Sequence, residues 1–267
     1  MECLRSGGRL YGTAVLSSSP LWPLAVKRTG VDFVFIDTEH TPFDRTTLAS
    51  MCVAYRGLGL PPLVRIGSPA PQEARGALDG GASGILAPYV ESPDQVRALV
   101  GAVKLRPLKG ERLTAVLQQR ESLESELEDY LKDWNRDNFL MINIESVPAM
   151  ERLDSILAEP GLDGIIIGPH DLSLSLGLPE RYHDPHFEDV VEHIITSARE
   201  KGLSAGIHFS QKAELQIKWA QAGANIIMHS SDMALFEQKL KDDLRTICRH
   251  LGEEDNTQKN EPNGHVM

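Results

Sequence analysis

The sequence predicts an α/β fold, a (β/α)8 TIM barrel, on three observations. Eight short β-rich runs recur along the 267 residues. The runs are continuously apolar rather than alternating, as strands buried on both faces must be. Helical stretches separate most of them, the rhythm of a parallel sheet with helical crossovers, and eight such units close into a barrel. A single barrel of this kind needs about 250 residues, which the chain has.

The first run is LYGTAVL (10–16). DFVFID (32–37) comes next and leads into the helix RTTLASMCVAYRGLG, which stops at Gly57 or Gly59. PLVRI (62–66) precedes APQEARGALDGGA, and GILAPYV (84–90) precedes SPDQVRALVGAVKL. FLMINIE (139–145) precedes VPAMERLDSILAEPG, and GIIIGP (164–169) precedes FEDVVEHIITSAREKG. LSAGIHF (203–209) precedes QKAELQIKWAQAGA, and NIIMHS (225–230) precedes DMALFEQKLKDDLRTICRHL, an additional C-terminal helix that makes this a modified barrel. Residues 105–138 are too long for one connection. Within them Leu123, Leu127, Tyr130, Leu131 and Trp134 recur at helical spacing, so ESLESELEDYLKDW reads as an amphipathic helix. Long insertions at barrel tops serve as lids or partner contacts. The domain organisation is therefore one barrel over 1–252, followed by a polar tail, 253–267, whose composition predicts disorder.

Composition excludes several function classes. With 41% hydrophobic and 24% charged residues the chain can build a full core. A net charge of −11 argues against a nucleic-acid surface and against anionic membranes. No apolar run reaches the roughly 18 residues of a spanning helix, and MECLRSGGRLYG lacks the apolar core of a secretory signal. Cys3, Cys52 and Cys248 are odd in number and far apart, which favours reduced thiols in a cytoplasmic setting.

Chemistry in such a barrel gathers at the C-terminal ends of the strands. The exits carry Ser17, Ser18 and Ser19; Asp37, Glu39 and His40; Arg65; Pro88 and Tyr89; Glu145 and Ser146; His170 and Asp171; His208; then His229 and Asp232. Four of the nine histidines stand at these exits. Two carboxylates and an imidazole at the end of the apolar run FVFI are costly to bury, unless they open into a solvated, metal-containing site. Glu145 and Asp171 lie on consecutive strands, and two carboxylates plus waters suit Mg²⁺ or Mn²⁺ better than Zn²⁺. Either carboxylate alone also reads as a helix N-cap, more naturally Asp171 than Glu145, because Ser146 or Val147-Pro148 starts the next helix. Arg65, ending an apolar strand, needs an anion: a structural carboxylate, or a substrate oxygen that it clamps. His40 reads as an orienting loop residue or as an acid–base group tuned by Asp37 or Glu39. His208 and His229 read more readily as packing residues. All ten lysines fall outside the interiors of the predicted strands, which disfavours Schiff-base chemistry and favours a metal for stabilising an enolate.

FVFIDTEH, LVRI, LDGGASGILAPYVES, INIES and GLDGIIIGPHDLSLSLG, in that order from about residue 10 to 250, resemble the HpcH/HpaI aldolase family. The resemblance implies a modified (β/α)8 barrel that uses a divalent metal to cleave or form a carbon–carbon bond next to pyruvate. It implies that Glu145 and Asp171 bind the metal, and that Arg65 binds the keto-acid oxygen and stabilises the enolate. His40, supported by Asp37, moves protons, and Glu39 stands behind the metal's waters. The backbone around Gly168, Pro169 and His170 takes the pyruvate carboxylate. Asp79 matches a family aspartate that faces the site of an adjoining subunit, and the family assembles as trimers or hexamers with the C-terminal helix exchanged. The chain departs from the family at Asn143, where Gln is usual, at Leu113, where Gly is usual, in YGTAVLSSS, which lacks a tryptophan, and at His229, where small residues are usual. These departures touch the walls that choose the aldehyde. The alternatives are a CoA-ester lyase of the malyl- or citramalyl-CoA type, a non-catalytic barrel binding a small acid or a partner protein, and a specialised condensing enzyme. The second of these predicts loss of Glu145, Asp171 or Arg65, and all three are present.

Overall fold

The structure is a computed structural model that describes residues 8–210 and 213–253. Eight strands form a closed, wholly parallel barrel in chain order. They are β1 (Leu10–Ala14), β2 (Phe33–Asp37), β3 (Pro62–Arg65), β4 (Gly84–Ala87), β5 (Phe139–Ile144), β6 (Gly164–Ile167), β7 (Ser204–Phe209) and β8 (Ile226–Ser231). The helices are α1 (Trp22–Lys27), α2 (Arg45–Gly57), α3 (Pro71–Asp79), α4 (Pro93–Lys104), α5 (Gly110–Leu117), α6 (Ser125–Trp134), α7 (Val147–Glu151), α8 (Leu153–Leu157), α9 (Pro169–Ser175), α10 (Pro185–Glu200), α11 (Ala213–Gln221) and α12 (Asp232–Leu251). Among the described residues no helix is long and apolar enough to cross a membrane. The predicted tail lies, from residue 254 on, outside the described residues.

Strand parity divides the core in two. Inward residues, among them Phe33, Phe35, Leu63, Leu86, Phe139, Met141, Ile166, Ile226 and Met228, fill the barrel. Outward residues such as Val34, Ile36, Val64, Ile142, Ile165 and Ile207 pack beneath the helices. Both faces are buried, which is why the runs read as unbroken apolar stretches. Several helices open on the residues that favour a first turn. Asp44 and Ser146 accept from Thr47 N at 2.7 Å and Ala149 N at 3.3 Å, and prolines stand in the first turn of α3, α4, α9 and α10.

The insertion is not at the top of the barrel. It follows α4, which runs back toward the strand beginnings, and it precedes β5. Its anchors are at that lower end: Asn135 Nδ2 donates to the carbonyls of Lys104 and Arg106 at 3.0 and 2.7 Å. Lys104 in turn reaches Asp163 at 2.5 Å, just before β6. The segment cannot act as a lid over its own barrel's site. The predicted helix over 147–161 is broken at Arg152, whose Nη1 donates to the Glu91 carbonyl at 3.0 Å.

Candidate active site

The inward parity that fills the barrel with aromatic rings turns polar in its last layer. It delivers Asp37 after Phe33 and Phe35, Arg65 after Leu63, and Asn143 and Glu145 after Phe139 and Met141. The strand register pairs Asp37 with Arg65. The guanidinium answers both carboxylate oxygens, Nε donating to Oδ1 at 2.8 Å and Nη2 to Oδ2 at 2.6 Å. Burial pushes the Asp37 carboxyl up, but the Arg65 hydrogen bonds and charge outweigh it and hold it below the usual carboxylate range. The guanidinium also rests over the Phe35 ring, 5.5 Å from its centroid. Glu39 Oε2 lies 3.1 Å from Arg65 Nε. That N–H is directed at Asp37, so the Glu39 oxygen, although buried, accepts no hydrogen bond. The His40 ring approaches this same oxygen, its Nε2 3.8 Å away. The support expected for His40 from Asp37 therefore comes at closest hand from Glu39, because Asp37 gives both oxygens to Arg65.

Glu145 is 7% exposed, and its Oε1 accepts the Tyr89 amide at 2.7 Å. Burial, with Asp171 and Glu39 adding to it, pushes its carboxyl up to about 7; Arg65 offsets only part. Tyr89 holds that amide in place from a left-handed backbone, φ 54°, a conformation that costs a tyrosine about 1–3 kcal/mol and persists only where surroundings enforce it. The Tyr89 carbonyl accepts from Gln95 Nε2 at 3.2 Å, and the nearby Glu39 carboxylate raises the phenol to about 12. Gly168 makes room for Glu145: a Cβ there would stand 2.8 Å from Glu145 Oε2. Asp171 does not cap its helix. The N-cap of α9 is Gly168, and Asp171 is the third helical residue, exposed, with its charge felt at Glu145.

The remaining expected residues fall into four places. His170 stands exposed at the rim, Nδ1 3.6 Å from Glu180. The Gly168 amide is spent on the Ile144 carbonyl and Pro169 has none, so only the first-turn amides of His170 and Asp171 remain to meet an anion. Asp79 ends α3 at the lower end of the barrel, exposed and paired with Arg106, far from its own chain's mouth. His208 points inward beneath the mouth, tilted on Phe35 at 5.3 Å, its Nε2 donating to the Ser230 carbonyl at 3.1 Å. Burial lowers it to about 4, so it stays neutral. Asp232 is structural: it accepts the amides of Leu16 and Ser17, each at 3.0 Å, and ties the β1 exit to α12. Sequence reasoning gave no role to Tyr89, whose signal was its place at a strand exit, or to Asn143, whose buried Oδ1 has no hydrogen-bond partner.

A family model described as HpcH/HpaI aldolase/citrate lyase matches residues 13–238. The chain belongs to this family. A 2-keto-3-deoxy-L-rhamnonate aldolase of Salmonella gallinarum is 30% identical over 90% of this chain and 89% of its own length. A 5-keto-4-deoxy-D-glucarate aldolase of Salmonella paratyphi C is 30% identical over 84% of this chain and 88% of its own. The crystal structure of an HpcH/HpaI aldolase from Desulfitobacterium hafniense superposes with a TM-score of 0.80 at 26% identity, covering 92% of this chain and 95% of that one. The protein is thus a lyase of the HpcH/HpaI type, on the barrel that the family resemblance implied.

The residues present fit a divalent metal of the hard, oxygen-binding kind. Glu39, Glu145 and Asp171 bring mutually repelling carboxylates together, and Glu39 Oε2 and Asn143 Oδ1 are buried without donors. A cation with its waters answers both conditions. Among the described residues no group of three or more His, Cys, Asp or Glu side chains is disposed around one point. The fit is therefore to an open two-carboxylate site whose other positions belong to substrate and water, not to a closed protein cage.

Proposed function

We propose that this chain is a divalent-metal-dependent class II aldolase that cleaves or forms a 4-hydroxy-2-oxo acid, with pyruvate and an aldehyde as the other side of the reaction. The observation that carries the reading is one barrel mouth holding a part-buried guanidinium, Arg65, and a buried carboxylate, Glu145, whose charge lacks a full counterpart. Mg²⁺ or Mn²⁺ held by Glu145 and Asp171 would act as a Lewis acid on the 2-oxo acid and orient it.

In the cleavage direction the C3–C4 bond breaks. The 4-hydroxyl loses its proton and becomes the aldehyde carbonyl, while the bonding pair passes to C3 as the pyruvate enolate, which then takes a proton. Arg65 is preorganised for this step. Its fork is fixed by Asp37 and it remains charged, so it meets the developing negative charge on the C2 oxygen without reorienting. His40, whose Nε2 has Glu39 Oε2 3.8 Å behind it, is the group that would take the 4-hydroxyl proton, directly or through one water. The amides of His170 and Asp171 orient the pyruvate carboxylate, with the α9 N-terminus favouring the anion.

The assembly is a homo-oligomer, a trimer or hexamer. The support is α12: Asp232 is its one buried residue, while Phe236, Leu240, Leu244, Ile247 and Leu251 repeat at helical spacing and are exposed by 63, 46, 42, 53 and 65%. Asp79 then serves an adjoining subunit's site from the lower end of its own barrel. A cytoplasmic setting agrees with Cys52 and Cys248, which are free thiols.

The test is a screen of pyruvate with a panel of aldehydes in Mg²⁺ or Mn²⁺, read by product mass. The expected result is a metal-dependent pyruvate–aldehyde adduct. Release of acetyl-CoA from a CoA ester, with no pyruvate adduct, would assign the chain to the CoA-ester lyases instead.

A further inference from the structure

Side chains fill the interior of a barrel of this kind in layers of four, each layer drawn from alternate strands. The strand pairings put Phe35, Leu86, Ile166 and Met228, from the even strands, in one apolar layer. The layer above it comes from the odd strands and holds Ala14, Arg65, Asn143 and His208. This layer is the floor of the mouth, and three of its four members are polar. Arg65 and His208 both rest on the ring of Phe35, at 5.5 and 5.3 Å. Ala14 stands between them on β1, and its single methyl takes up the least room in the layer.

Each polar member of the floor has a fixed polarity. Arg65 only donates. His208 Nε2 donates to the Ser230 carbonyl at 3.1 Å, so Nδ1 of the neutral ring is an acceptor. Among the described residues nothing donates to it, and it is not shut in as the orphaned Nδ1 of His229 is. Asn143 is 2% exposed, and its Oδ1 also lacks a donor. The floor therefore offers one donor and two empty acceptors. Pyruvate answers only the donor: its C2 oxygen meets Arg65, and its methyl has no hydrogen bond to give. A hydroxyl on C3 answers the acceptors. An α-hydroxyketone carries an acceptor oxygen beside a donor oxygen, the order in which Arg65 and His208 face each other over the Phe35 ring.

We propose that His208, with Asn143 beside it in the layer, is a specificity-determining residue that accepts a hydrogen bond from a C3 hydroxyl of the 2-oxo acid, so that the site enolises 3-hydroxypyruvate in preference to 2-oxo acids with an apolar C3. This rests on the aldolase reading given above and names the class of the enolised substrate, leaving the aldehyde open. The aldol product is then a 3,4-dihydroxy-2-oxo acid. A methyl in place of the hydroxyl leaves both acceptors empty, and a site built to bind a hydroxyl rejects the analogue that lacks it. The partial exposure of His208 keeps the effect at about 10- to 100-fold, because water can reach the vacant place.

The experiment follows exchange of the C3 protons with D2O by proton NMR, in Mg²⁺ or Mn²⁺ and without aldehyde, for pyruvate, 3-hydroxypyruvate and 2-oxobutanoate. The last two differ only by a hydroxyl against a methyl of nearly equal size. Each enzymatic rate is divided by the rate of the same acid without enzyme, which removes the difference in chemical reactivity. Wild type is expected to favour 3-hydroxypyruvate over 2-oxobutanoate at least tenfold by kcat/KM. His208→Leu, which keeps an apolar contact with Phe35 and removes the acceptor, is expected to cut that ratio about tenfold, chiefly by raising KM for 3-hydroxypyruvate. If none of the three acids exchanges in wild type, the aldolase reading falls and this inference with it. If exchange occurs but wild type shows no preference, the selectivity inference alone is overturned, whether or not the variant folds. It is overturned equally if His208→Leu slows all three acids by the same factor, since His208 then only supports Phe35 and Arg65.

Discussion

Arg65 is both an ion pair and a candidate oxyanion donor, and the two roles share one guanidinium. With Asp37 gripping Nε and Nη2, Arg65→Ala leaves a buried carboxylate uncompensated, a loss of about 3–5 kcal/mol in stability. It also removes a preorganised donor, for about 100- to 1000-fold in rate. Both losses are expected in melting and turnover assays. The double variant Arg65→Met with Asp37→Asn removes the stranded charge, so most of the melting temperature should return while the rate stays low. Recovery of the rate together with the stability would show that Arg65 is structural only. Arg65→Lys should restore part of the rate, because a point charge cannot reproduce a planar fork. At Gly168, alanine would drive a methyl to 2.8 Å from Glu145 Oε2. Calorimetry should show divalent-metal affinity falling at least tenfold in Gly168→Ala. Unchanged affinity would separate Glu145 from the metal. Legibility at this scale followed strand parity. Asp37, Arg65 and Glu145 were visible because charges interrupt apolar strands. Tyr89 gave no such signal, since its role comes from a left-handed backbone that no pattern encodes.

Strand identity was legible because each β run is apolar on both faces, and all eight lie within a few residues of where the sequence put them. The short helices were not. α1, α5 and α9 span 6, 8 and 7 residues, too short to repeat an apolar face. The amphipathic pattern of α6 was readable, but which end of the barrel it serves was not, since that depends on the direction of the preceding helix. Among the described residues nothing buries the apolar face that α12 repeats over 20 residues. Leu240→Asp with Leu244→Asp should therefore reduce the particle size in light scattering and lower activity, if Asp79 reaches a neighbour's site. A wild-type monomer at micromolar concentration would contradict the proposed assembly.

At the scale of the whole molecule, two buried groups set opposite pH dependences. Glu145 rises from its ordinary 4.5 to about 7. Its neutral form suits the metal-free fold, so that fold loses stability as pH climbs from about 4.5 to about 7, by about 3 kcal/mol in all. His208 falls from 6.5 to about 4, so the fold loses stability as pH drops through that range. A divalent cation on Glu145 relieves the first loss and not the second. Thermal unfolding should therefore show a larger stabilisation by Mg²⁺ or Mn²⁺ at pH 8 than at pH 5.5, and Glu145→Gln should flatten the difference. Equal stabilisation at both pH values would place the metal elsewhere. The central claim is that Glu145, Asp171 and Arg65 together make pyruvate acidic at C3. It is tested most directly by following the pyruvate methyl signal in D2O by proton NMR, with enzyme, with and without divalent metal. The expected result is metal-dependent loss of the signal in wild type, abolished in Glu145→Gln and in Asp171→Asn while both variants remain folded. Exchange that continues after chelation, or that survives either substitution at near wild-type rate, would contradict it.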